Sequence, residues 1–116
     1  MKFLLLVCWD AKKMDAQREP DPSAKTEPES FPWLDELQAR RAWITGDQLA
    51  PPRRARSVRV RGGKPLVTDG PFAETKEAVG GFDIIECGSL DEAVEIASRH
   101  PVAQSGTIEV RPLWGG

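Results

Sequence analysis

Apolar and polar positions along the chain follow two different periods, and the switches between them mark the elements. Residues 3–9, FLLLVCW, form a continuous apolar run of strand length between Lys2 and Asp10, the pattern of a strand buried on both faces. Residues 10–30 lose that pattern: Pro20, Pro22 and Pro28 alternate with charged residues and Ser, which predicts a long mobile loop. From Ser30 to Ile44 the positions Leu34, Leu37 and Trp43 or Ile44 recur at helical spacing. Pro32 fits the first turn, Arg40 and Arg41 suit the negative end of the dipole, and Gly46 supplies the stop. Residues 47–56, with Pro51 and Pro52, read as a connector.

The second half is more strongly signalled. Val58 and Val60 alternate with Arg59 and Arg61, Gly62–Gly63 makes a two-residue turn, and Leu66 to Thr68 return as the other arm of a hairpin. FDIIEC, residues 82–87, is a further strand. Ser89 followed by Glu92 forms a capping box that opens a helix with Leu90, Ala93, Val94 and Ala97 as its apolar stripe, and Pro101 stops it. TIEVRP ends the pattern, with Ile108 and Val110 on one face and Glu109 and Arg111 on the other.

The order β-α-β(β)-β-α-β predicts an α+β sandwich of ferredoxin-like topology with an extra hairpin strand, one domain over residues 1–116. Two helices cover only one face of such a sheet. The first strand is apolar on both faces, so a second copy is the simplest cover. A face-to-face homodimer is expected, with Cys8, Val58 and Ile84 near the shared layer.

Composition narrows the function. Sixteen Lys and Arg against eighteen Asp and Glu leave a net charge of −2, which gives no global field for nucleic acid or an anionic membrane. Arginines concentrate between Arg40 and Arg61, but no aromatic residue is interleaved with Arg53 to Arg61 to stack bases. Cys8 and Cys87 sit in apolar runs and read as buried free thiols of a reducing compartment. No C-x-x-C pair exists and His100 is the one histidine, so neither a metal site nor a cofactor is predicted. The apolar N-terminal run meets Asp10 at once and lacks a small-residue cleavage site, and no segment is long enough to span a bilayer. The expected location is the cytoplasm.

The least ordinary stretch is VTDGPFAETKEAVGGF, residues 67–82, which crowds special backbone positions and charges between two strands. Asp69 either acts as a general base fixed by Gly70–Pro71 or holds the turn through backbone N–H groups. Phe72 reads as core or as an apolar wall. Glu74, Lys76 and Glu77 read as a solvated loop, or as a rim in which Lys76 neutralises an anionic substrate and Glu77 assists proton transfer. Gly80–Gly81 allow close backbone approach or form a β-bulge. Arg111 either binds a carboxylate or pairs on the face of Glu109; pairing is the favoured reading. Trp9, Trp33 and Trp43 are expected in the core and pocket wall, and Trp114 against the tail.

VRVRGGKPLVTDGPFAETKEAVGGFDIIE, with SLDEAVEIASRHP and TIEVRP, resembles the YCII-related, or DGPF-domain, family of small bacterial proteins. The likeness is loose over residues 1–9 and close over 45–112, while residues 10–32 depart from the family's helix-rich lead-in. It implies a ferredoxin-like dimeric α+β barrel. One branch includes a dehydrochlorinase of a chlorinated hydroxyquinol with an Asp–His pair proposed for proton transfer. Other members are encoded beside extracytoplasmic-function sigma factors, which implies a sigma factor as a partner. By resemblance Asp10 corresponds to an Asp after the first strand, whereas the first-helix His of that branch has no counterpart in residues 30–46, and His100 lies at the end of the second helix.

Two functions from different classes are therefore expected. The first is a small enzyme of proton-transfer or elimination type on a polar or aromatic molecule, with Asp69 and Glu77 catalytic and Asp10, Phe72, Lys76 and Arg111 binding substrate. The second is a non-catalytic domain that senses a small ligand or binds a partner.

Overall fold

The structure, a computed structural model, describes residues 1–19, 23 and 31–115. In chain order its elements are β1 (Lys2–Asp10), α1 (Ala11–Asp15), α2 (Pro32–Ala39), β2 (Trp43–Gln48), β3 (Arg56–Arg61), β4 (Lys64–Asp69), β5 (Glu77–Glu86), α3 (Leu90–Ser98) and β6 (Thr107–Pro112). Short 3₁₀ turns at Pro52–Arg54 and Pro101–Gln104 complete them. Four strands pair in the order β2-β5-β1-β6, every neighbour antiparallel, and β3–β4 form a separate two-stranded sheet. The units β1-α2-β2 and β5-α3-β6 thus interleave, which is the ferredoxin-like arrangement, and the sheet stays open within one chain. Among the described residues no helix is long and apolar enough to cross a membrane.

Alternation along β1 decides the layers. Phe3 and Leu5 are fully buried under the helices together with Ile85, Trp33, Leu37, Ala93 and Ile96. The indole Nε1 of Trp33 donates to the carbonyl of Ile96 at 2.8 Å, so α2 is tied to α3 by a buried hydrogen bond. The other face carries Leu4, Leu6 and Cys8 beside their partners Ile84 and Phe82, all half-buried. An apolar strand with one covered face is what the continuous run of residues 3–9 produces.

Several boundaries differ from those read off the sequence. The first helix ends at Ala39, not near Ile44, through a Schellman closure: Ala42 N donates to Leu37 O at 2.9 Å and Arg41 N to Gln38 O at 3.0 Å. Arg41 occupies the left-handed position at φ 56°, where glycine is usual, so the stop was hidden in an arginine. Trp43 and its neighbours then form an edge strand, and Gly46 lies inside it. The hairpin is accordingly not the second strand of the main sheet. The loop expected over residues 10–30 instead begins with α1, capped by Asp10, whose Oδ1 accepts from Lys13 N at 2.9 Å; residues 20–22 and 24–30 lie outside the described residues.

Other elements shift less. Ser89 Oγ caps α3 by accepting from Glu92 N at 3.1 Å, but Glu92 answers to Gly88 N rather than to Ser89. Its buried stripe is Ala93, Ile96 and Ala97, while Leu90 and Val94 face solvent. β5 starts at Glu77, five residues before FDIIEC, and Gly80 is a bulge inside it: Val7 pairs with Gly81 and Cys8 with Val79. A Cβ on Gly80 would lie 2.6 Å from Trp9 Nε1 and 2.8 Å from Met14 Cε, so both side chains would have to shift to admit it. The cysteines are half-buried rather than buried, and Trp114 is fully exposed.

Candidate functional site

A groove of about 940 Å³, open to solvent, lies where the ends of β1 and β5 meet the base of the hairpin. Its walls are the 70–75 segment on one side, residues 49–55 on another, and α1 with the end of β1 beneath. Ala, Pro, Leu, Val and Phe dominate the lining, and Lys12, Asp15, Arg53, Arg54, Glu74 and Glu77 supply charge. Cys8, Glu77 and Val79 all belong to the face of the sheet turned away from the helices, because Cys8 pairs with Val79 and Asp10 with Glu77. The groove therefore opens on the uncovered side of the sheet.

Each wall is fastened. Arg53 joins the 49–55 segment to α1: its N–H donates to Asp15 Oδ1 at 2.9 Å, and its guanidinium donates to the carbonyls of Asp15 at 2.5 Å and Gln17 at 2.9 Å and pairs with Glu19 at 3.1 Å. Ala11 N donates to Lys76 O at 3.0 Å, which joins α1 to the 70–76 segment. Gly70 N donates to Ala55 O and Ser57 Oγ to Gly70 O, both at 2.8 Å, where the hairpin leaves the groove. Gly70 can make this turn because its φ is 89°. Leu49 N donates to Gly80 O at 2.9 Å, which holds the remaining wall against β5.

Among the residues singled out from the sequence, Phe72, Glu74 and Glu77 line this groove. Phe72 is 80% exposed at its edge, so it is no core residue. Glu77 Oε1 accepts from Thr107 Oγ1 at 2.8 Å, and Thr75 Oγ1 donates to the Glu77 carbonyl. Asp10 sits next to the groove as the cap of α1. Lys76 contributes its carbonyl to the wall, but its side chain is not in the lining. Arg111 lies on the far edge strand and pairs with Glu109 at 2.8 Å, the pairing expected from its face. Asp69 stands outside the groove with its side chain 88% exposed, and Arg56 Nε lies 3.1 Å from its Oδ1.

Sequence reasoning missed Lys12, the 49–55 wall and Cys8. Among the described residues no ion pair engages the Lys12 ammonium, so it is the cation at hand for an anionic group in the groove. Burial pushes the Cys8 thiol above its ordinary value, and the carboxylates of Glu109 and Glu77 push it the same way. Cys8 is thus a neutral thiol near neutral pH and contributes polarizable apolar surface rather than a nucleophile. Among the described residues no three His, Cys, Asp or Glu converge as metal ligands.

A second titratable cluster lies under the helices. Asp83 accepts from Trp43 Nε1 at 2.9 Å, and burial raises its carboxyl above the usual range against the pull of that hydrogen bond and of His100. His100 is 7% exposed, packs edge-on to Trp33 at 4.7 Å and to Phe31 at 5.8 Å, and accepts at Nδ1 from Val102 N at 3.0 Å. It is a buried cap of the 3₁₀ turn that follows α3. Burial lowers its pKa, and the negative charge of Asp83 offsets part of that.

Comparison with known proteins agrees with the motif. The profile of the YCII-related domain matches residues 1–115. An uncharacterized protein of Rhizobium meliloti (strain 1021) is 47% identical over 68 residues, 57% of this chain and 55% of that protein. The chain thus matches about half the length of that relative.

Proposed function

The chain belongs to the YCII-related family, and from that premise we propose that it binds a small amphiphilic molecule in the groove beside the 70–75 segment. The ligand has an apolar body that lies against Phe72, Val79, Leu49 and the prolines, and an anionic or phenolic head that meets Lys12. The observation that carries this reading is the fastening of all the groove's walls by the bonds of Arg53, Gly70, Ala11 and Leu49. A cleft held open in advance spends little ordering free energy when it is filled. The test is thermal unfolding in the presence of a panel of phenols and aromatic carboxylates. A ligand at one hundred times its Kd stabilises the folded state by about 2.7 kcal/mol, and Val79→Glu, which places a carboxylate in the apolar lining, should remove the shift. A panel without any shift, or shifts that survive Val79→Glu, contradicts the reading.

A second reading, proton transfer or elimination on the bound molecule, is favoured by one observation. Glu77 brings a carboxylate into the lining with a hydroxyl partner that orients it. Glu77→Gln would then abolish turnover while binding persists.

The protein is also proposed to work as a homodimer in which a second copy covers the open sheet face. Leu4, Leu6, Phe82 and Ile84 are half-exposed there, on a face that no helix covers. Sedimentation showing only monomer at micromolar concentration would contradict it.

A further inference from the structure

We propose that the β3–β4 hairpin is a clasp that docks, valine face inward, on the open sheet face of a second copy of the chain. The inference rests on the homodimer reading and says what makes that dimer electrostatically possible. The hairpin shows the first sign. Val58 pairs with Val67 and Val60 with Pro65 on one face of the ribbon, and Val58 is 62% exposed, Val67 61% and Val60 58%. A two-stranded ribbon is marginal in water by itself, and this one presents its apolar face to solvent.

Charge supplies the occupant. On the open sheet face the register gathers Asp10, Asp47, Glu77, Glu86 and Glu109 against Lys2 and Arg111. Two such faces packed on each other by symmetry would set five carboxylates and two cations against the same set, a repulsive arrangement. The hairpin carries the opposite balance: Arg56, Arg59, Arg61 and Lys64 against Asp69. A second copy of this chain therefore brings the cations that the acidic face lacks. Arg59 and Arg61 project from the ribbon face opposite the valines. Their stems are long enough to bend round its edge towards rim carboxylates while the valines meet Leu6 and Phe82.

Placement agrees with this partner. The hairpin leaves the molecule at Ala55 and Gly70, which are groove-wall residues, and the groove opens on the same side as the uncovered sheet face. A copy seated on that face would lie beside the base of the hairpin.

Two arms test the proposal. In sedimentation, Arg59→Glu with Arg61→Glu should weaken the dimer by about tenfold or more at low salt, and mixing with an Asp47→Lys, Glu86→Lys copy should restore it. In the second arm, with Cys8→Ser and Cys87→Ser as background, a Val60→Cys copy mixed with an Ile84→Cys copy should form an interchain disulfide under mild oxidation. The second arm keeps the proposal decidable if the charge reversals fail to fold. A dimer that forms no such disulfide and is indifferent to the charge reversals overturns the clasp and leaves sheet packing standing. A wild-type chain that is monomeric overturns both.

Discussion

Arg56 Nε lies 3.1 Å from Asp69 Oδ1, across the rung that closes the base of the hairpin. The most conspicuous carboxylate of the DGPF segment thus pairs within the hairpin and is not among the groove's lining. Both side chains are more than half exposed, so the pair contributes under about 1 kcal/mol. Asp69→Asn should leave both the urea midpoint and ligand affinity nearly unchanged. A large loss of binding with folding intact would return Asp69 to the site.

Gly80 is predicted to be the least replaceable glycine of the VGGF segment. Gly80→Ala drives a methyl into Trp9 and Met14 and should cost about 1–3 kcal/mol, the usual range for overpacking. Gly81→Ala has its tightest contact with the carbonyl of Asp47, at 3.2 Å, and should cost less. Urea unfolding of the two variants side by side measures the difference; equal losses would contradict the bulge.

Stability should fall on mild acidification, and His100 should be the cause. Its folded pKa is lowered from 6.5, so as pH drops through 6.5 the unfolded chain takes up a proton first, and stability is lost until the folded pKa is passed. Asp83 acts in a lower window and with opposite consequence. Its folded pKa is raised from 3.8, so stability is lost as pH climbs from 3.8 through the folded value and regained on acidification. His100→Asn keeps an acceptor for Val102 N and removes the titration. Unfolding at pH 7.5 and 5.5 should show the wild type losing stability and the variant holding level; parallel losses would contradict the assignment.

Much of this was legible in the sequence wherever a pattern had a local cause. The hairpin followed from Gly62–Gly63, both at positive φ, and the α3 start from Ser89. The end of α2 was not legible, because Arg41 takes the conformation that glycine advertises. The β2 strand was missed for a related reason: Trp43, Gly46 and Gln48 face the helices, a set with one apolar side chain, so no apolar alternation marks it. The groove was half visible. Phe72 and Glu77 belong to the motif itself, but α1 is a five-residue helix with one buried side chain, Met14, and residues 49–55 have no period at all. Asp69 is the instructive case. Counting back from the Gly62–Gly63 turn pairs Arg61 with Lys64 and, five rungs on, Arg56 with Asp69. The partner of that carboxylate is thus fixed by the hairpin register, thirteen residues upstream of the turn chemistry that surrounds it.

The central claim, that the walls of residues 49–55 and 70–75 enclose a ligand site, is tested most directly by amide-shift mapping in a heteronuclear NMR titration with the phenol and aromatic carboxylate panel. The account predicts saturable shifts concentrated at Lys12, Leu49, Ala55, Phe72 and Val79, with the amides of Asp69 and Arg111 unmoved. Absence of saturable shifts at those positions across the panel, or shifts centred on Asp69, would contradict it.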